Sequence, residues 1–152
     1  MASTVITDGM LARLSEVEGQ GGNSVGAAYF KIGEGGWMMQ GINKVPRTPD
    51  ETLTDLDCIV NPGLYPVPSR FTFQKNISTL SIEVLGGGEV NITCSVNTGE
   101  ANDDGYGNPP EFWEIGIFTA DNVLLAYRTF NKQTKYPDRS LRHVFHLTNI
   151  RP

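Results

Sequence analysis

Only two cysteines, Cys58 and Cys94, occur in the 152 residues, and they form no CxxC pair. That excludes a zinc site built on cysteine. In a chain made in a reducing cytosol, both thiols are expected to be reduced members of the core. Basic charge is also scarce: 12 Lys and Arg stand against 17 Asp and Glu, a net charge of -5. Such a chain lacks the positive field of a general nucleic-acid binder and the polybasic attraction of a membrane-surface protein. No apolar run reaches the length of a membrane span. The opening MASTVITDGM has neither the cationic nor the apolar region of a signal peptide, so Asn76-Ile77-Ser78 and Asn91-Ile92-Thr93 read as polar strand residues rather than glycan acceptors. A Gly-X-Y period and sustained heptads are missing, which excludes collagen and coiled coil. Missing too are GxSxG, HExxH and a phosphate-cradling loop ending in Lys-Ser/Thr, so no familiar catalytic motif or cofactor cradle is present.

What the sequence does have is turn chemistry, with 17 Gly and 9 Pro. These punctuate many short segments rather than long helices. One stretch has helical spacing: Met10, Leu11, Leu14 and Val17 follow the possible caps Thr7 and Asp8, and glycines at 19–22 stop the pattern. Its apolar stripe needs a partner surface. Val25 to Ile32 reads as a strand, closed by the loop Gly33-Glu34-Gly35-Gly36. Beyond Trp37-Met38-Met39, Pro46 and Pro49 deny the segment from Gly41 to Glu51 a central place in a sheet, so it is expected to be a long ordered loop. Pro62, Pro66 and Pro68 surround Tyr65 in a second such loop.

The second half alternates with period two. Leu80, Ile82 and Val84 form one apolar face, and Val90, Ile92, Cys94 and Val96 form another, with Gly86-Gly87-Gly88 as the hairpin turn between them. Phe112 to Phe118 and Val123 to Phe130 pair across Ala120-Asp121-Asn122, and Leu141 to Leu147 is the last strand. The expected fold is therefore mainly β, with sandwich-like antiparallel sheets, one short N-terminal helix and long proline-rich loops. Residues 1–22 are expected to form a helical arm and 23–152 a β domain, with ordered loops at 41–51 and 61–68.

Few residues suggest chemistry. Asn102-Asp103-Asp104-Gly105 is oxygen-rich but lacks the glutamate spacing of an EF-hand. His143 and His146 fall on opposite faces of a strand, as do Glu111 and Glu114 beside Trp113. Neither pair makes a shared metal site or an acid/base couple, and the histidines are expected at a surface or interface. No cofactor or metal is expected. Acidic residues crowd Glu100 to Asp121 and basic ones Arg128 to Arg151, an asymmetry that reads as two solvated surfaces.

Three stretches together resemble a known family. They are Val5-Ile6-Thr7-Asp8-Gly9-Met10-Leu11-Ala12-Arg13-Leu14, then Phe30-Lys31-Ile32-Gly33-Glu34-Gly35-Gly36, then the run from Phe112-Trp113-Glu114-Ile115-Gly116-Ile117-Phe118 through Leu124-Leu125-Ala126-Tyr127. In order and spacing this is similar to the N-terminal, baseplate-attaching domain of phage tail-fibre proteins. The match departs in three places: glutamate directly follows Trp113, Asn122 stands at the usual turn glycine, and the proline-rich stretches from Gly41 to Pro68 look like additions. No fibre shaft follows before Pro152.

The resemblance implies a virion structural protein, made in the bacterial host cytoplasm, and not an enzyme. It would act as a tail, baseplate or collar adaptor whose partners are other virion proteins and copies of itself, a homotrimer being implied by the family. A capsid decoration protein and a carbohydrate-binding host-attachment module are the rival readings. Contacts would come from Met10, Leu11, Leu14 and Val17 on the arm and from Trp37, Met38 and Tyr65 on the loops, since aromatic and Met side chains anchor interfaces. Trp113, Ile115, Ile117, Leu124 and Tyr127 are expected as the packed core of the late hairpin.

Overall fold

A computed structural model describes residues 3–9, 26–67, 69–85 and 89–148. The fold is mainly β, with antiparallel sheets that do not close into a barrel; among the described residues helix is confined to short pieces, the backbone being helical at Asp8 and Gly9 as well. Ten strands appear in the described chain: β1 Ser3–Ile6, β2 Ala27–Gly33, β3 Trp37–Gln40, β4 Asn43–Pro46, β5 Thr72–Asn76, β6 Ile82–Leu85, β7 Glu89–Val96, β8 Glu111–Thr119, β9 Leu124–Thr134 and β10 Leu141–Thr148. A single-turn helix, α1, covers Asp57–Val60, and 3-10 turns cover Pro62–Leu64 and Thr79–Ser81. No helix among the described residues is long and apolar enough to cross a membrane.

The strands form a five-stranded sheet in the order β1-β9-β8-β2-β5, a three-stranded sheet β10-β7-β6, and the separate hairpin β3-β4. The two larger sheets pack through one core. Phe30, Ile32, Phe112, Ile115, Ile117 and Phe130 from the larger meet Val90, Ile92, Cys94, Val96, Phe145 and Leu147 from the smaller. In β7 the expected alternation is strict, with every second residue from Val90 to Val96 buried.

The other face of the five-stranded sheet is also covered. Tyr29, Trp113, Phe118, Leu124 and Tyr127 lie under Trp37, Leu53, Leu56, Cys58 and Tyr65. The chain from Gly33 to Tyr65 is thus a cover rather than an arm. A sheet buried on both faces needs an apolar strand without alternation. β8 is such a strand, buried from Phe112 to Thr119. Cys58 and Cys94 are both free thiols, one in each cluster and so on opposite sides of this sheet.

Several expectations need correction. Residues 3–6 are not part of an arm: β1 pairs along β9 from Ser3↔Thr129 to Ile6↔Ala126. The β-branched Val5 and Ile6 suit a strand, and Thr7 ties the next turn down through a backbone bond of 3.0 Å to the Leu125 carbonyl. Residues 3–7 therefore belong with the sheet, and residues 10–22 of the expected arm lie outside the described residues. The helix expected over Met10 to Val17 and the Gly86–Gly88 turn lie outside the described residues. Within 41–51, the expected loop contains β4, which pairs with β3 about a turn where Gly41 has φ +66. Prolines permit this because the hairpin has only two strands, and Pro46 ends one of them. β5 was not expected, since Thr72–Asn76 carries only one large apolar residue, Phe73. Finally, Leu80 and Val84 are exposed rather than inward-facing. A 3-10 turn, with the Ser78 hydroxyl accepting from the Leu80 N–H, breaks the alternation before edge strand β6 begins.

His143 also departs from expectation. It is buried on β10, its ring tilted against Phe130 at 4.4 Å, with Nε2 2.9 Å from the Gln133 side-chain oxygen. His146 lies on the opposite, exposed side and meets Asn91. Burial first, then the Arg128 guanidinium, pushes the His143 ring down to about 4. Between pH 6.5 and 4 the unfolded chain takes a proton that the folded chain refuses, so stability is lost as the pH falls. The loss approaches about 3 kcal/mol for this one group. Urea midpoints of the wild type and His143→Gln, measured from pH 7 to 4.5, are expected to converge on acidification. Parallel profiles would contradict the account.

Candidate functional site

The cover is held down by a buried polar network centred on Glu114. A β-bulge between Phe112 and Glu114 turns both Trp113 and Glu114 to the covered face of the sheet. Glu114 is wholly inaccessible to solvent. Its Oε1 accepts from the Asp57 N–H and the Tyr127 hydroxyl, each at 2.6 Å, and its Oε2 accepts from the Cys58 N–H at 3.2 Å. Helix α1 lacks a capping side chain at Leu56, so a carboxylate distant in sequence satisfies its first N–H groups.

Asp57 extends the network. It accepts from the Tyr65 hydroxyl and from Asn61 Nδ2 at 2.7 Å, and Arg47 Nε lies 3.5 Å away. Tyr65 in turn accepts the Gly36 N–H at 3.0 Å. Thr129 on β9 donates to the Arg47 carbonyl at 2.7 Å, and Trp37 Nε1 donates to the Glu34 carbonyl at 2.8 Å. The hairpin base is thereby fastened to β9 next to Arg47 and to the loop after β2 through Trp37.

Electrostatically the network is closed. Burial raises the affinity of Glu114 for a proton, opposed by the hydrogen bonds from Tyr127, Cys58 and the Asp57 backbone. Burial, followed by the Glu114 charge, also drives the Cys58 thiol far above its ordinary value. A thiol so placed stays protonated and is a poor nucleophile. Tyr65 and Tyr127 are raised by burial and then by their carboxylate partners. The arrangement holds segments in place.

The sequence-predicted residues divide accordingly. Trp113, Leu124 and Tyr127 are buried on the covered face, and Ile115 and Ile117 on the face between the sheets. Trp37 and Tyr65, expected at loop tips, are instead buried and packed edge to face with centroids 5.2 Å apart. They are anchors of the cover, because each has a polar atom that finds a partner inside it. Met38 is half-exposed, at 48%. Met10, Leu11, Leu14 and Val17 fall outside the described residues.

The exposed apolar surface that sequence reading missed lies beside Met38. Met39 is half-exposed, and Ile42, at the hairpin turn, is 93% exposed. Ile59, Val60, Leu64 and Val67 on the same cover are also open to solvent. The adjacency of Met39 to Met38 was the available signal. For Ile42 there was none beyond the neighbouring Gly41. Comparison with family models, with curated proteins and with solved structures finds no match.

Proposed function

We propose that this chain is a phage virion structural subunit, a fibre-type adaptor of tail, baseplate or collar, which assembles through the β3-β4 hairpin and the adjoining segment 59–67. One observation carries the reading: a turn bearing Met38, Met39 and Ile42 is exposed, while the base of the same hairpin is fixed by Trp37 and the Glu114 network. A rigid mount with an apolar tip loses little conformational entropy on docking. Met side chains adapt to a partner's shape. The motifs behind the family resemblance also meet in space. The loop Gly33–Gly36 lies against Glu114, and Thr7 bonds the carbonyls of Leu124 and Leu125. A capsid decoration role would use the same surface. Sugar binding has less support, because Trp37 and Trp113 are buried and offer no open stacking face.

Sedimentation equilibrium tests the proposal. The wild-type chain is expected to form an oligomer, and a Met38→Ser, Met39→Ser, Ile42→Ser variant to remain folded but dissociate at least tenfold more readily. Three exposed apolar side chains, each contributing about 1 kcal/mol when covered by a partner, support that figure. A wild type that stays monomeric at high concentration and binds no virion protein would overturn the reading, as would an oligomer indifferent to the substitutions.

A further inference from the structure

A cleft of about 300 Å³ is lined by Glu34, Asp104, Asn108, Glu111, Thr134 and Tyr136 among others. It gathers the loop after β2, the loop between β7 and β8, and the end of β9. Glu34 is only 5% exposed. Its Oε2 accepts the Glu111 N–H at 2.8 Å, but its Oε1 is buried with no hydrogen-bond partner. Buried polar atoms are almost always satisfied, and an orphan calls for a water, an ion or a ligand. Protonation alone does not resolve it, since a carboxylic O–H also needs an acceptor.

Asp104, itself 6% exposed, adds a second carboxylate near Glu34. Its Oδ1 accepts from the N–H groups of Tyr106 and Asn108, at 2.8 and 3.3 Å, which fixes the side chain to its own loop. Among the described residues neither carboxylate has a cationic partner. Lys132 lies 3.7 Å from the outer residue Glu111, and the buried Lys135 spends its ammonium on Thr98, Asn102 and the Tyr136 carbonyl. The cleft thus brings two enclosed acids together without a counter-ion, beside the side-chain oxygens of Asn108, Glu111 and Thr134.

We propose that this cleft binds a calcium ion through Glu34 Oε1 and Asp104, with Asn108, Thr134 and water completing the oxygen shell. Calcium suits the donors, because it accepts six to eight oxygens in irregular geometry. Among the described residues no three His, Cys, Asp or Glu side chains gather as a metal cluster, so neutral oxygens and water must supply the remaining ligands. The ion would join three loops at one rim of the sandwich.

Thermal unfolding of the full chain after chelator treatment tests the site. Calcium chloride is expected to raise Tm by about 5 °C or more at a roughly hundredfold excess over Kd, relative to sodium chloride of matched ionic strength. Glu34→Gln, whose carbonyl keeps the bond from the Glu111 N–H, and Asp104→Asn are each expected to abolish the rise. Calorimetric titration of the wild type should give one site per chain, which keeps the test decisive if a variant fails to fold. No calcium-specific rise, no binding heat, a rise undiminished in both variants, or an equal response to magnesium would each overturn the assignment.

Discussion

Glu114→Ala is expected to destabilise the fold by about 4 kcal/mol, a fall in Tm of roughly 10 °C for a domain of this size. The reason is the number of groups one carboxylate serves. Removing it strands the N–H of Asp57, the N–H of Cys58 and the hydroxyl of Tyr127, all inside the cover. Each buried donor left unpaired costs about 1–3 kcal/mol, and the lost side chain leaves a cavity as well. Glu114→Gln should cost about half as much. With its carbonyl in the Oε1 position it keeps the bonds from Asp57 and Tyr127, but it sets an amide N–H against that of Cys58. Chemical denaturation of the two variants checks the ranking. A loss under about 1 kcal/mol for alanine would show that the network does not hold the cover.

Gly35→Ala is expected to be nearly as damaging, at about 3 kcal/mol or more. A Cβ at this position would lie 2.5 Å from both Cys58 Cβ and Glu114 Oε2, and 2.7 Å from the Cys58 backbone nitrogen. Two of these atoms cannot swing aside, and the third is held by a hydrogen bond. The cover would have to lift from the sheet. Next to it Gly36, at φ +84, is packed nearly as closely, since a Cβ there would lie 2.8 Å from Glu114 Cβ, so the loop has little room in which to absorb the clash. Gly63→Ala is the control, since its Cβ meets nothing within 4 Å. That change is expected to alter stability by less than about 0.5 kcal/mol. Equal effects at positions 35 and 63 would contradict the packing described.

Particular residues explain what the sequence made legible. Val90 to Val96 alternates without interruption because β7 has one buried face, and a period of two survives in the letters. The β8-β9 hairpin was readable for its apolar density and its Asp121-Asn122 turn, where Asn122 adopts φ +68. The cover was not readable. Its prolines break any period, so Trp37 and Tyr65 looked like loop tips, although a segment that shields a sheet face must itself bring aromatic side chains inward. Glu114 was hidden by the bulge, which shifts its facing by one residue and leaves no mark in composition. Glu34 and Asp104 come together only through the fold, from loops far apart in the chain.

Amide hydrogen exchange, compared between the assembled and the dissociated chain, most directly tests the central claim that the clamped cover is the docking surface. The account predicts that assembly slows exchange in peptides spanning 37–46 and 59–67, with little change over β6 and β10. Unchanged exchange in those two segments, or protection confined to the β6 and β10 side around Val84 and Val144, would contradict it.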